Sequence, residues 1–101
     1  SLLVYATPCM VALMEGAACN ALDGKLAEGE TSVGTRMDVQ HLAATPVGME
    51  VRAESRLTAV DGRRLTFEIT AFDEAGEIGK ATHERVVVKA ERFLEKAYAK
   101  L

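Results

Sequence analysis

The sequence predicts an α+β domain in which an antiparallel sheet wraps around a central apolar helix. Residues 7–22 are apolar on nearly every side when wound as a helix, which is typical of a helix inside a fold. Four later runs, between residues 33 and 89, alternate apolar and polar side chains with the period of strands. Turn residues separate these runs, and they favour tight connections between antiparallel neighbours.

The helix has recognisable start and stop signals. Thr7 suits the N-cap, and Pro8 suits the first helical position. Gly24 fits the C-terminal stop, and Lys25 lies near the negative end of the helix dipole.

Both cysteines of the chain, Cys9 and Cys19, fall on this helix. Ten residues of helix separate them by roughly 15 Å, which is beyond the reach of a disulfide. We therefore expect two small buried hydrophobic residues in a reduced, cytoplasmic protein.

The first predicted strand covers residues 33–40, with Val33, Met37 and Val39 on the core face and His41 continuing that face. A turn at residues 44–48 contains proline and glycine. The second strand is predicted over residues 49–60, and its core-facing positions are Met49, Val51, Ala53 and Leu57.

The rest of the chain continues this pattern. Asp61-Gly62 is a strong hairpin signal. The third strand has Leu65, Phe67, Ile69 and Ala71 on its core face, and a turn at residues 73–76 leads to a last strand over residues 78–89. Residues 91–101 have helical composition and form a C-terminal tail.

One buried helix followed by four antiparallel strands is the plan of the hotdog fold, whose complete form has a further strand before the helix. Only residues 2–5 could supply that strand, so we expect it to be short or missing. Pairing two sheets in a homodimer, or in a tetramer, would satisfy the open edges of so small a sheet. Residues 1–101 are predicted to be a single domain.

The composition of the chain argues against several classes of function. The net charge of −3 gives no support to nucleic-acid binding, which usually requires a basic face. No apolar run reaches the ~18 residues that a membrane span needs, and no signal-peptide pattern opens the chain. No cysteine and histidine cluster has the spacing of metal ligands, so neither a metal nor a separate cofactor is expected.

Glu15 is the most informative residue because it is a carboxylate in the middle of an apolar helix. Burying a carboxylate is costly unless a cation, hydrogen bonds or protonation compensates it, and groups held in this way suit acid/base chemistry. His41 is the second inward polar residue, and an imidazole is a natural proton shuttle near neutral pH.

Four stretches of this chain resemble the fluoroacetyl-CoA thioesterase-like family of hotdog proteins. They are residues 6–15 (ATPCMVALME), 32–46 (SVGTRMDVQHLAATP), 61–65 (DGRRL) and 77–85 (EIGKATHER). The stretches occur in the family's order, and the resemblance covers nearly the whole chain from Ala6 onward. It implies an acyl-CoA thioesterase that acts on a small acyl group.

The resemblance also implies a catalytic constellation of a hydroxyl residue opening the helix, a helical glutamate and a strand histidine. These roles fall on Thr7, Glu15 and His41. The family's substrate-contacting glycine and its arginine near the acyl end fall on Gly34 and Arg85. The family's first strand and lid-like segment, upstream of the helix, have no counterpart in this sequence.

Each of these residues also has a structural interpretation. Glu15 could pair with a buried cation, and Thr7 could simply cap its helix. Arg85 could be a surface charge, and His83, on the same strand face, is interpreted as structural. Two other functions stay open, a hotdog hydratase or dehydratase and a non-catalytic acyl-CoA binding module. Coenzyme A itself is expected only as part of the substrate.

Overall fold

The computed structural model describes residues 2–101, so Ser1 of the predicted domain lies outside the described residues. Two helices and four strands follow one another along the chain. They are α1 (Thr7–Ala21), β1 (Glu30–His41), β2 (Val51–Asp61), β3 (Arg64–Asp73), β4 (Glu77–Lys89) and α2 (Ala90–Tyr98). The predicted α+β class is confirmed.

The four strands form one antiparallel sheet in the order β1-β4-β3-β2. The β2–β3 hairpin turns at Gly62, whose φ of 61° suits glycine, as the Asp61-Gly62 pair predicts. Since β1 and β2 lie at opposite edges, both keep one side free of pairing among the described residues.

Helix α1 packs on one face of this sheet through a single stripe of side chains. Met10, Met14 and Ala18 are completely buried, and their spacing of four residues aligns them on one side of the helix. They join the apolar residues of β3 and β4 in one core, whose strand members are Leu65, Phe67, Ile69, Ala71, Ile78 and Ala81.

The opposite side of α1 is not covered by its own sheet. Cys9 and Cys19 are exposed, so the prediction that both cysteines are buried is wrong for the single chain. Ala12 and Gly16 are exposed on the same side. The sheet of this chain is four strands wide and covers one face of the helix, whereas the sequence predicted a helix covered all round.

A β-bulge in β1 changes which of its residues face the helix. The pairing with β4 shifts between Gly34, opposite Arg85, and Arg36, opposite Glu84. The extra residue puts Gly34 on the same face as Met37, and Val33 on the outer face. Strict alternation predicted that Val33 and Met37 share one face of the sheet. This prediction is wrong because the bulge lies between them.

The residues before α1 form only a fragment of a strand. Val4 makes an isolated bridge with Pro46, and the Tyr5 amide donates to the Thr45 carbonyl at 2.8 Å. The described residues ahead of the helix therefore form a bridge and not a regular strand. At the other terminus, α2 confirms the predicted helical tail and lies exposed along its length.

Candidate active site

The first candidate cluster lies where α1 begins. The Oγ1 atom of Thr7 is 2.8 Å from the Nδ1 atom of His41, at the end of β1. The N-cap residue is Ala6, and no side chain caps the helix. The prediction that Thr7 is the N-cap is therefore wrong, because its hydroxyl hydrogen-bonds a histidine 34 residues away instead of the helix backbone.

His41 has one ring nitrogen without a partner. Its Nε2 atom is buried and has no hydrogen-bond partner among the described residues, although the residue as a whole is only half-buried. A hollow of about 260 Å³ lies beside the ring, lined by Val4, Tyr5, His41, Leu42, Ala43 and Ala44. A buried polar atom without a partner is costly, so this nitrogen is a natural contact for a substrate or water.

The second candidate cluster surrounds Arg85 on the helix-facing side of β4. Arg85 is 6% exposed, so its interpretation as a surface charge is wrong. Its Nε donates to the Ser32 hydroxyl at 2.8 Å, and its Nη2 donates to the Ser32 carbonyl at 2.9 Å. Its Nη1 lies 3.2 Å from the Nε2 of His83, which is 1% exposed.

Glu15 belongs to this second cluster. Its Oε2 atom is 3.9 Å from the Nη1 atom of Arg85, so the buried cation of the structural interpretation is present beside it. The Glu15 side chain is 46% exposed, and the prediction that it is buried is therefore wrong for the single chain. The residue lies at the border between the buried stripe of α1 and the uncovered face, where solvent and ligands can reach it.

Gly34 provides the space between these side chains. A Cβ atom at Gly34 would lie 3.2 Å from Glu15 Oε2, 3.2 Å from His83 Cε1 and 3.4 Å from Arg85 Nη1. Such contacts are tighter than most side chains tolerate. The absence of a side chain at Gly34 therefore lets the carboxylate, the imidazole and the guanidinium pack closely against β1.

The two clusters are separate within one chain. Thr7 and Glu15 are eight residues apart on α1, or roughly 12 Å along its axis. His41 pairs with Gly79 and Gly34 pairs with Arg85, so the clusters are six residue steps apart along β4, or about 20 Å. A single chain therefore brings Thr7 to His41, and Glu15 to Gly34 and Arg85, but does not unite the three predicted catalytic residues.

Sequence reasoning missed the part played by Ser32 and the burial of Arg85. The inward position of Ser32 depends on the bulge, since a one-residue shift decides which side chains of β1 face the helix, whereas Arg85 follows the regular alternation of Ala81 and His83 along β4. One local signal was available: a glycine inside a strand pattern, here Gly34, often marks a bulge. Reading the alternation in two registers around Gly34 would have placed Ser32 and Gly34 on the inner face.

Other features of the described residues lie apart from both clusters. A hollow of about 620 Å³ is lined by none of the candidate site residues, and its charged groups are of both signs, namely Glu28, Glu30, Glu91, Glu95, Lys89 and Arg92. Within residues 2–101 no group of three or more histidine, cysteine, aspartate or glutamate residues could hold a metal ion. No helix in that range is long and apolar enough to cross a membrane.

The arrangement of one helix on a four-stranded antiparallel sheet is shared with known structures. A Thermus thermophilus protein described as a thioesterase superfamily member is 32% identical, with a TM-score of 0.92 over 99% of this chain and 73% of the other. The fold and the polar clusters along α1 thus define a hotdog thioesterase.

A family model covers most of this chain and identifies its family within this class. The family model described as "Fluoroacetyl-CoA-specific thioesterase" matches residues 1–91. This chain belongs to that family.

Two relatives within the family illustrate the similarity. The fluoroacetyl-CoA thioesterase of Streptantibioticus cattleyicolor is 45% identical over 96% of this chain and 70% of its own length. A crystal structure of a mutant of the fluoroacetyl-CoA-specific thioesterase FlK, in complex with fluoroacetate and CoA, is also 45% identical. Its TM-score is 0.91 over 96% of this chain and 76% of the other.

Proposed function

We propose that this protein hydrolyses the thioester of a small acyl-CoA, with Thr7, Glu15 and His41 as its catalytic residues. The observation that carries the proposal is the pair of polar clusters on one helix, Thr7 with His41 and Glu15 with Arg85. Water is consumed, the C–S bond breaks, and a carboxylic acid and free coenzyme A are released. This reaction needs an activated nucleophile and stabilisation of an oxyanion.

Each residue has a role suited to its surroundings. The half-exposed carboxylate of Glu15 acts as general base toward water or as the nucleophile. His41, held at Nδ1 by Thr7, moves a proton through its free Nε2 atom. The Thr7 amide at the start of α1 faces the oxyanion, since a helix N-terminus favours negative charge, Pro8 has no N–H, and the Cys9 and Met10 amides donate to the Ala6 carbonyl.

We further propose that each complete site is built from two copies of the chain in a homodimer. The separation of roughly 12 Å between Thr7 and Glu15 along α1 supports this proposal. If two α1 helices run antiparallel across an interface, Thr7 of one copy approaches Glu15 of the other. The side of α1 that its own sheet leaves uncovered consists of small residues, which suits close packing of helices, namely Cys9, Ala12, Gly16 and Cys19.

The proposed substrate class rests on the crowding at Gly34 and on the relatives. Glu15, His83 and Arg85 all come within 3.4 Å of the position that a Cβ of Gly34 would occupy, and this crowding disfavours a bulky acyl group beside Glu15. The relatives described above act on fluoroacetyl-CoA or hold fluoroacetate and CoA. Acetyl-CoA and fluoroacetyl-CoA are therefore the first substrates to test, with coenzyme A entering only as part of the substrate.

The alternatives from the sequence are less well supported. A hydratase or dehydratase would act on the acyl chain and leave the thioester intact. A binding module would hold acyl-CoA without turnover. Membership of a thioesterase family favours hydrolysis over both. Two exposed free cysteines and an acyl-CoA substrate are consistent with a cytoplasmic location.

The test is thiol release from acetyl-CoA, fluoroacetyl-CoA and a long-chain acyl-CoA. Glu15→Ala and His41→Ala are each expected to lower kcat at least about 100-fold, as for positioned acid/base groups. Glu91→Ala, an exposed glutamate on α2, is the matched control and should leave kcat unchanged. Hydration of the acyl chain, or binding without thiol release, would refute the proposal.

A chelator is expected to leave the rate of thiol release unchanged, because the proposed chemistry uses no metal.

A further inference from the structure

His83 is buried beside the proposed site, and the roles proposed above do not use it. It is 1% exposed, and its ring packs near Phe67 with ring centroids 6.4 Å apart. Its Nδ1 lies 2.7 Å from the Arg36 carbonyl, and its Nε2 lies 3.2 Å from Arg85 Nη1. Both ring nitrogens therefore have protein partners.

These partners fix the tautomer of the ring. A guanidinium has only donors, so His83 Nε2 must accept from Arg85 through its lone pair. A carbonyl only accepts, so Nδ1 must carry the proton and donate to Arg36. The contacts therefore require a neutral ring with the proton on Nδ1, since an imidazolium would have no lone pair for Arg85.

Most of the N–H donors of Arg85 are occupied by these protein partners. A guanidinium has five N–H groups in a rigid plane. Two are used by Ser32 and one by His83, which fixes the plane of the group. Two N–H groups remain, and Nη1, which carries one of them, lies 3.9 Å from Glu15 Oε2 and close to Gly34.

We infer that His83 and Ser32 are positioning residues that hold the Arg85 guanidinium against Glu15 and direct its two remaining donors at the acyl group. Neither touches the substrate in this role, and both act through Arg85. The inference rests on the proposed thioesterase function. A fixed donor pair matters because electrostatic stabilisation of a transition state depends on groups that need no reorientation during the reaction.

The first test reads the tautomer directly and does not depend on activity. The chain has two histidines, so long-range ¹H–¹⁵N NMR of the wild-type protein resolves both rings, and a His83→Gln spectrum assigns them. We expect a protonated Nδ1 and an unprotonated Nε2 for His83 at neutral pH. A protonated Nε2, or an imidazolium, would overturn the inference.

The second test uses kinetics of folded variants. His83→Leu removes the acceptor and is expected to lower kcat about 10-fold with KM within about threefold, because one buried hydrogen bond to a charged group is lost. His83→Gln, which offers a carbonyl oxygen to Arg85, should restore most of kcat. Ser55→Ala, which removes a hydrogen bond between β2 and α1, controls for general loosening. Equal losses in His83→Gln and His83→Leu would contradict the inference.

A double-mutant cycle separates positioning from a general structural role. Arg85→Lys keeps the charge but cannot be held by the same planar contacts. If His83 acts through Arg85, then adding His83→Leu to the Arg85→Lys variant should lower kcat only slightly further. A full additional 10-fold loss would overturn the inference. A wild-type protein without thiol release on any substrate would instead refute the proposed function, and the NMR result would still decide the tautomer.

Discussion

At the scale of single residues, contacts decided between the structural and functional interpretations of Thr7. A threonine at a helix start is usually a cap, yet here Ala6 occupies the N-cap and the Thr7 hydroxyl is 2.8 Å from His41 Nδ1. The hydroxyl therefore contributes to the orientation of an imidazole more than to the stability of α1.

This contact predicts the effects of two substitutions. Thr7→Val, which keeps the shape but loses the hydroxyl, should lower kcat about 10-fold or more because the His41 ring loses its hydrogen bond. Thr7→Ser should stay within a few-fold of wild type. The melting temperature of Thr7→Val should hardly change, since no cap is lost. A stability loss of about 1 kcal/mol with normal kcat would restore the capping interpretation.

A second residue-scale prediction concerns Gly79, where β4 lies against the Met10 side chain of α1. A Cβ there would lie 2.7 Å from the end of the Met10 side chain and 2.9 Å from the Gln40 carbonyl oxygen. The methionine can move, but the backbone oxygen cannot, so Gly79→Ala should destabilise the fold by about 1–3 kcal/mol. Denaturant unfolding measures this change, with exposed Lys80→Ala as the control from the same strand. Equal stability of the two variants would contradict the close approach.

At the scale of elements, the turn between β3 and β4 is tied to the loop after β1. The Asp73 carboxylate accepts from the Thr45 hydroxyl at 2.8 Å and from the Ala75 and Gly76 amides at 2.8 and 3.0 Å. The Thr45 hydrogen bond, with those backbone amides, holds the pKa of Asp73 below its ordinary value of 3.8. The Thr45 carbonyl oxygen also accepts a hydrogen bond from the Tyr5 amide, and this bond links the turn to the residues before α1.

The lowered pKa predicts a pH dependence of stability. A carboxyl whose folded pKa is depressed contributes stability above its ordinary pKa, and this contribution is lost as pH falls through the folded value. The difference in unfolding free energy between wild type and Thr45→Val should therefore be largest at neutral pH and shrink below about pH 4. Thr58→Val, which loses a hydrogen bond to a carbonyl, should show a pH-independent difference. A constant difference for Thr45→Val would refute the role of Asp73.

Much of each element was predictable because its signals are local. The helix period, the alternation along β3 and the Gly62 turn arise from neighbouring residues, and these predictions agree with the observed helices and strands. The bulge at Gly34 was not predicted, because it is a property of the pairing between β1 and β4. A partner strand 50 residues away decides it, and the sequence of β1 alone leaves the register open.

At the scale of the whole molecule, the separation of the two clusters predicts that subunits complement each other. In the proposed homodimer, Thr7→Ala should lower kcat about 10-fold or more and Glu15→Ala at least about 100-fold, so each variant alone is strongly impaired. After subunit exchange, a heterodimer carries one intact and one doubly damaged site, so about a quarter of wild-type activity should return in an equal mixture. Mixing two Glu15→Ala preparations is the control. If exchange is demonstrated and no activity returns, the site lies within one chain.

The sequence by itself determined the secondary structure, the class of fold and the residue types available for chemistry. Periodicity and turn residues act over a few positions, and the resemblance identified Thr7, Glu15, His41, Gly34 and Arg85 together. Only the tertiary structure decided which of them meet, that Arg85 is buried by Ser32 and His83, and that Glu15 stays half-exposed. The physical reason is that burial and hydrogen bonding depend on strand register and helix packing, which join residues distant in the chain.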